Sequence, residues 1–308
     1  MELSYSFRIV CWTLFSLGIL RLAFGLASAW MSRMLRSRIA AQSARWQEKY
    51  YFVTALLPDA AALVLAVAVT APAFGLHESN PNLEHVGLFC IAVASITAGQ
   101  YGVIAWRGMR LAFNMRLNSR VIPTAAESPD SALLAVKGLL RTRIVASPEV
   151  MSGNLFSREA LEVAMAHEES HRRHHDNFKL FLLSSVSRFG HTGSAVQTRR
   201  RAAERAADDD AVSGGKERAI LLSEALVAAA RAVSRAAPPA LAMELMPFEW
   251  ELESRVDRLL HQELRSHPSR RARFHLALVL TGFSVIQASV CVFIATSHRL
   301  AECIVHLG

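Results

Sequence analysis

The sequence predicts a mainly α membrane protein with four transmembrane helices and a cytoplasmic α+β domain inserted between the third and the fourth. Three observations predict it. Of 308 residues, 52% are apolar and mean hydropathy is +0.24, more than a soluble chain of this length needs to fill its core. Four apolar runs, at about 9–30, 52–76, 86–106 and 274–296, are each long enough at 1.5 Å per residue to cross a hydrocarbon layer of roughly 30 Å. The polar stretch 107–273 has the length of one domain.

Residues 1–106 hold the first three spans. Arg21 lies within the first and Asp59 within the second, where an unpaired charge costs several kcal/mol. Both fall on the order of 10–14 Å from the cytoplasmic boundary, so Arg21 and Asp59 are expected as an intramembrane ion pair, with snorkelling as the alternative. Ala27-Ser28-Ala29 resembles a signal-peptide cleavage site, yet only Arg8 precedes the apolar run and a basic loop follows it, which favours a retained span. The third and fourth runs contain no Lys, Arg, Asp or Glu.

Charge orients the spans. The loop 31–51 carries Arg33, Arg36, Arg38, Arg45 and Lys49. Arg107, Arg110, Arg116 and Arg120 follow the third span, and Arg265, Arg270, Arg271 and Arg273 precede the fourth. By the positive-inside rule all three flanks are cytoplasmic. The loop 77–85, with two Glu and no Lys or Arg, is expected outside. The expectation is a multi-pass protein of the plasma (inner) membrane with both termini outside, residues 274–308 forming the fourth span and a short outside tail. The net charge of +8 then belongs to arginines facing anionic headgroups, so the lipid bilayer is an expected partner and direct nucleic-acid binding is not. Cys11, Cys90 and Cys291 fall in spans and Cys303 stands alone, which points to neither a disulfide framework nor a thiolate metal site.

Within the domain, 121–151 holds Pro123, Pro129 and Pro148 and β-prone residues such as Thr142-Arg143-Ile144-Val145. Helices follow. Ser157 is an N-cap with Glu159 in the first turn, opening a helix that runs to about His175. Further helices are expected over 178–189, over 198–213 with a stop at Gly214-Gly215, over 216–236 with a stop at Pro238-Pro239, and over 247–263.

The chemistry sits on the first of these helices. His167 and His171 are four apart, so both imidazoles emerge on one face and can reach one ion, with Glu168 beside them. That is the spacing of a zinc hydrolase: two neutral imidazoles hold Zn2+, and the adjacent carboxylate takes the proton from the attacking water. A catalytic zinc site needs a third protein ligand and an open fourth position. Glu204, on the 198–213 helix, is the candidate ligand, and Asp208, one turn on, could orient a ligating histidine. Asp208-Asp209-Asp210 reads alternatively as a solvated acidic face. His174, His175 and Asp176 are expected as exposed or orienting groups, one of them being the alternative to Glu204 on the metal.

These residues resemble the BlaR/MecR-type membrane metallopeptidases, the antirepressor family that includes bacterial β-lactam signal transducers. The resemblance runs through Gly138-Leu139-Leu140-Arg141-Thr142-Arg143-Ile144-Val145, Leu161-Glu162-Val163-Ala164-Met165-Ala166-His167-Glu168, His171-Arg172-Arg173-His174-His175-Asp176-Asn177, and Glu204 to Asp208. It implies a minigluzincin-like domain, zinc on His167, His171 and Glu204, and Glu168 as general base. It also implies a substrate chain laid along the strand of Arg143, Ile144 and Val145 by β-augmentation.

The sequence departs from the family in several places. Glu169 and Ser170 are polar where the family tends to be apolar, Thr142 stands where the family has proline, and the aromatic Asn-Pro turn before the third ligand is missing. No penicillin-binding sensor follows the fourth span, so direct β-lactam sensing is not expected. The resulting expectation is a membrane-embedded zinc metalloendopeptidase that cleaves a cytoplasmic protein, a regulator or itself, with a homo-oligomer or partner sensor left open. The alternatives are a housekeeping membrane protease of the HtpX type and a non-catalytic scaffold with a structural metal site. A fourth protein ligand from His174 or His175 would argue for the latter.

Overall fold

The computed structural model describes residues 5–72, 87–120, 133–186, 192–213, 215–236 and 246–261. The described chain is mainly α-helical. Three of its helices, Tyr5–Met34, Ala44–Thr70 and Leu88–Asn114, are long and apolar enough to cross a membrane. The predicted fourth span at 274–296, the loop 77–85 and the C-terminal tail lie outside the described residues.

Helix α1 spans Tyr5–Met34, α2 Arg36–Ala40, α3 Ala44–Leu65 with a π-helical continuation at Ala66–Thr70, and α4 Leu88–Arg120. Helix α1 overruns its predicted apolar run at both ends, α3 begins before its run and α4 continues past its run. Hydropathy marks where lipid contact stops, whereas a helix continues until Gly, Pro or a cap ends it. The predicted loop 31–51 is consequently made of the end of α1, all of α2 and the start of α3.

The chain divides into two compact units. One contains the described residues up to Gln42 and those from Leu57 to Gly99; the other contains Ser43–Leu56 and the described residues from Gln100 onward. Helix α3 runs through the division, so its first turns, predicted as part of the membrane region, belong to the second unit.

In the first unit, Arg21 Nε lies 2.6 Å from Asp59 Oδ1, with both side chains largely buried. The two charges are paired, and each offsets much of the cost of burying the other. A Cβ on Gly18 would overlap the Thr97 hydroxyl, so glycine permits the close approach of α1 and α4.

The second unit opens with an antiparallel hairpin, β1 (Leu134–Lys137) and β2 (Arg143–Ala146), with Ala135 opposite Val145 and Val136 opposite Ile144. Gly138, at φ 100°, starts the turn between them. The helices that follow are α5 (Pro148–Met151), α6 (Arg158–Arg173), α7 (Asp176–Val186), α8 (Thr192–Ala211), α9 (Lys216–Ala236) and α10 (Met246–His261).

Helix α6 begins where the sequence places it. The Ser157 hydroxyl accepts the Ala160 backbone N–H at 3.1 Å, which satisfies one of the helix's free donors. Ala160, Val163, His167 and Ser170 recur at helical spacing and form its buried stripe. Val163 joins Ala211, Val212, Ala219, Leu222 and Leu259 in one apolar cluster, and Ala160 joins Val150, Phe156 and Ala225 in another. The N-terminal half of α6 is thereby anchored in the core. Its C-terminal half carries the polar motif.

Candidate metal centre

Helix α8 packs against α6, with Ala211 and Val212 meeting Val163 in one apolar cluster. Ala202, Ala203, Ala206 and Ala207 around Glu204 are all buried, so this stretch of α8 is packed on more than one side by short side chains. His167 Nε2 and His171 Nε2 stand 3.2 Å apart, and Glu204 Oε2 lies 3.6 Å from the first and 3.8 Å from the second. A tetrahedral zinc held at 2.0–2.1 Å spaces its ligand atoms about 3.3 Å apart. Three donors of zinc-compatible type thus converge at the spacing one ion requires, and the residues fit the metal. Two imidazole nitrogens facing each other also need a proton or a cation between them.

The far sides of the rings are held by carboxylates. Asp176 Oδ2 pairs with His171 Nδ1 at 2.8 Å, an arrangement that fixes the tautomer and leaves Nε2 toward the centre. Asp208 Oδ1 lies 3.1 Å from His167 Nδ1. Asp208 is fully buried rather than on a solvated face. Arg255 of α10 grips it from both sides, Nη2 at 2.6 Å from Oδ1 and Nε at 3.0 Å from Oδ2, and places Nη1 3.1 Å from Glu204 Oε2. The neighbouring acids are partnered as well, Asp209 with Arg258 and Asp210 with Arg45 and Ser170. Arg258 also reaches Asp208 Oδ2 at 3.3 Å, so each acid of the run is engaged by an arginine.

Electrostatics follow from this geometry in the metal-free chain. Burial works against charge on His171, but Asp176 and Glu204 outweigh it and push its pKa up to about 10. Burial likewise opposes ionisation of Glu204, yet both histidines and Arg255 hold its carboxyl well below the usual range. Asp176 is brought down to about 2 against its own burial, chiefly by His171 and Arg199. Glu168 moves the other way, because burial raises it. A carboxylate with an elevated pKa is better matched to accepting a proton near neutral pH.

Glu168 is also approached by the backbone amide of Val136 on β1. Asn177 Nδ2 donates to the carbonyls of Val136 at 2.8 Å and Gly138 at 3.0 Å, tying the hairpin to α7. Arg143, Ile144 and Val145 form β2, as expected of a strand. The Ser147 N–H bond to Leu133 O at 2.8 Å sets the ladder's alternation, so Val136 and Ile144 turn their backbone groups to the two outer edges. The edge beside Glu168 is therefore that of β1, and Ile144 offers its groups on the other.

His174 and His175 stay out of the cluster. His174 Nε2 is 3.5 Å from Asp210, and exposed His175 adopts φ 52° in the turn between α6 and α7. Among the described residues, the cluster that could hold an ion consists of His167, His171 and Glu204. Asp176, expected as an exposed or orienting group, is the one that orients His171, whereas Arg199 and Arg255 were not singled out from the sequence. Ser170 accepts from Arg45 Nη2 at 2.8 Å, which accounts for a polar side chain at that position of the motif. Arg199 sits in a run of three arginines and Arg255 among alternating charges, so neither had a local signal. Asp176 reaches back to His171 because a turn follows α6. No family model, curated protein or solved structure matched this chain in comparisons with known proteins.

Proposed function

We propose that the chain is a membrane-anchored zinc metalloendopeptidase that cleaves a protein on the cytoplasmic side of the inner membrane, a regulator or the enzyme itself. The reading rests above all on the convergence of His167 Nε2, His171 Nε2 and Glu204 Oε2 within 3.2–3.8 Å, with Glu168 next to them on the same helix. A cluster of three donors fits a catalytic site that keeps its fourth position open. Three helices long and apolar enough to cross a bilayer support membrane anchoring, and the arginine-rich flanks support a cytoplasmic active site.

Bound zinc would supply Lewis acidity that makes water a nucleophile near neutral pH. The protein's own residues do the rest. Asp176 holds the His171 ring with Nε2 inward, Arg255 holds Glu204 and Asp208 in place, and the Glu168 carboxylate takes the proton of the attacking water.

The test is metal content and proteolysis of the purified full-length protein. Glu168→Ala is expected to keep zinc and lose cleavage by at least about 100-fold. Glu204→Ala is expected to lose zinc. Stoichiometric zinc in the Glu204 variant removes that ligand, and full cleavage by the Glu168 variant removes the mechanism.

A further inference from the structure

Glu48, on the first turns of α3, is fully buried, and Arg199 of α8 is 2% exposed. Taking a carboxylate and a guanidinium out of water costs several kcal/mol per ion before attraction and hydrogen bonding offset it, and a well-packed apolar pair of the same size is often as stable. Stability alone is a weak reason for these charges. Their contacts suggest another.

Glu48 Oε1 accepts from Arg199 Nη2 at 2.9 Å and from Lys179 Nζ at 2.9 Å. The same Arg199 Nη2 reaches Asp176 Oδ1 at 2.6 Å, while the other oxygen of Asp176 pairs with His171 Nδ1 at 2.8 Å. An unbroken line of charge-assisted hydrogen bonds runs from α3 to a residue of the donor triad. Every link is short and every member is at least largely buried. A second contact comes from the preceding turn of α3, where Arg45 Nη2 donates to Ser170 on α6 and to Asp210 on α8 at 2.6 Å. Tyr50 is also buried there, so the start of α3 is seated among the elements that build the site rather than loosely attached.

We propose that Glu48 is a positioning residue for the metal: through Arg199 and Asp176 it fixes the orientation of His171. The first turns of a membrane-spanning helix thereby become part of the metal scaffold, and a displacement of α3 is felt at the metal. The proposal deepens the zinc reading of the triad and rests on it. It concerns the route by which a partner or the bilayer could reach the site, and the route is α3.

The experiment measures zinc affinity of the full-length protein in detergent by chelator competition, with the visible spectrum of the cobalt-substituted form as a second readout. Glu48→Gln and Arg199→Lys are each expected to weaken zinc about 10–100-fold, the range for partners that orient a ligating histidine, and to alter the cobalt spectrum. Combined with Asp176→Asn, Glu48→Gln is expected to add little further loss, because both act along one path. Thr54→Val, which removes a buried hydroxyl bond to Tyr50 O on the same helix, is the control for general destabilisation and is expected to leave affinity unchanged. Wild-type affinity in Glu48→Gln, whatever its melting temperature, overturns the proposal, as does equal weakening by Thr54→Val. Should Glu48→Gln not fold, Arg199→Lys, which keeps the buried positive charge, decides by the same criterion. A wild-type protein that holds no zinc would instead sink the metal reading itself.

Discussion

At the scale of single residues, the site depends on one unusual backbone conformation. His175 sits in the left-handed region at φ 52°, which costs an L-residue roughly 1–2 kcal/mol. Through that turn, Asp176 is carried back onto His171 Nδ1. Glycine escapes the strain but loses more freedom on folding, whereas a β-branched residue suffers the full penalty. His175→Gly should leave stability within about 1 kcal/mol of wild type, slightly higher, and His175→Val should be less stable than His175→Gly by about 1–2 kcal/mol. Both should retain zinc. Equal melting temperatures for the two variants would contradict the strain argument, and loss of zinc from His175→Gly would make the imidazole a ligand.

At the scale of elements, the β1–β2 hairpin matters because its outer edge serves Glu168. Gly138 begins the turn at φ 100°, and a Cβ there would collide with the Arg141 carbonyl oxygen. Gly138→Ala should destabilise the hairpin by about 1–3 kcal/mol. Amide exchange over 134–146 should accelerate and cleavage should fall, with zinc content intact, since the triad lies on α6 and α8. Unchanged exchange in that segment would show that the turn tolerates a side chain. Helix starts and stops were legible where chemistry marks them: Ser157 caps α6, and α9 spans Lys216–Ala236 as expected from its flanking Gly-Gly and Pro-Pro. Boundaries set by packing were not. Helix α8 starts at Thr192 rather than at Thr198, α3 begins eight residues before its apolar run, and α4 continues well past its own.

At the scale of the whole molecule, what the sequence displayed was local periodicity, and what it concealed was pairing across distance. His167, Glu168 and His171 announce themselves through four-residue spacing, and Glu204 through its own helix. Glu48, Arg199 and Arg255 acquire meaning only once α3, α8 and α10 are assembled around α6. These long-range pairs also predict how stability depends on pH. Asp176, lowered to about 2 in the folded metal-free protein against about 3.9 unfolded, contributes on the order of 2 kcal/mol that is present above pH 4 and lost as pH falls toward 2. His171, raised to about 10 against about 6.5 unfolded, contributes below pH 6.5 and loses its share as pH rises through 10. Metal-free protein should therefore be most stable between about pH 4 and 6.5. Zinc requires the neutral imidazole, so its added stabilisation should grow with pH over the range in which the metal-free pair weakens. Thermal scans of chelated and zinc-loaded protein from pH 3 to 9 measure both trends. Asp176→Asn should remove most of the acid limb attributed to this pair, and an identical acid limb in that variant would place the stabilising charge elsewhere.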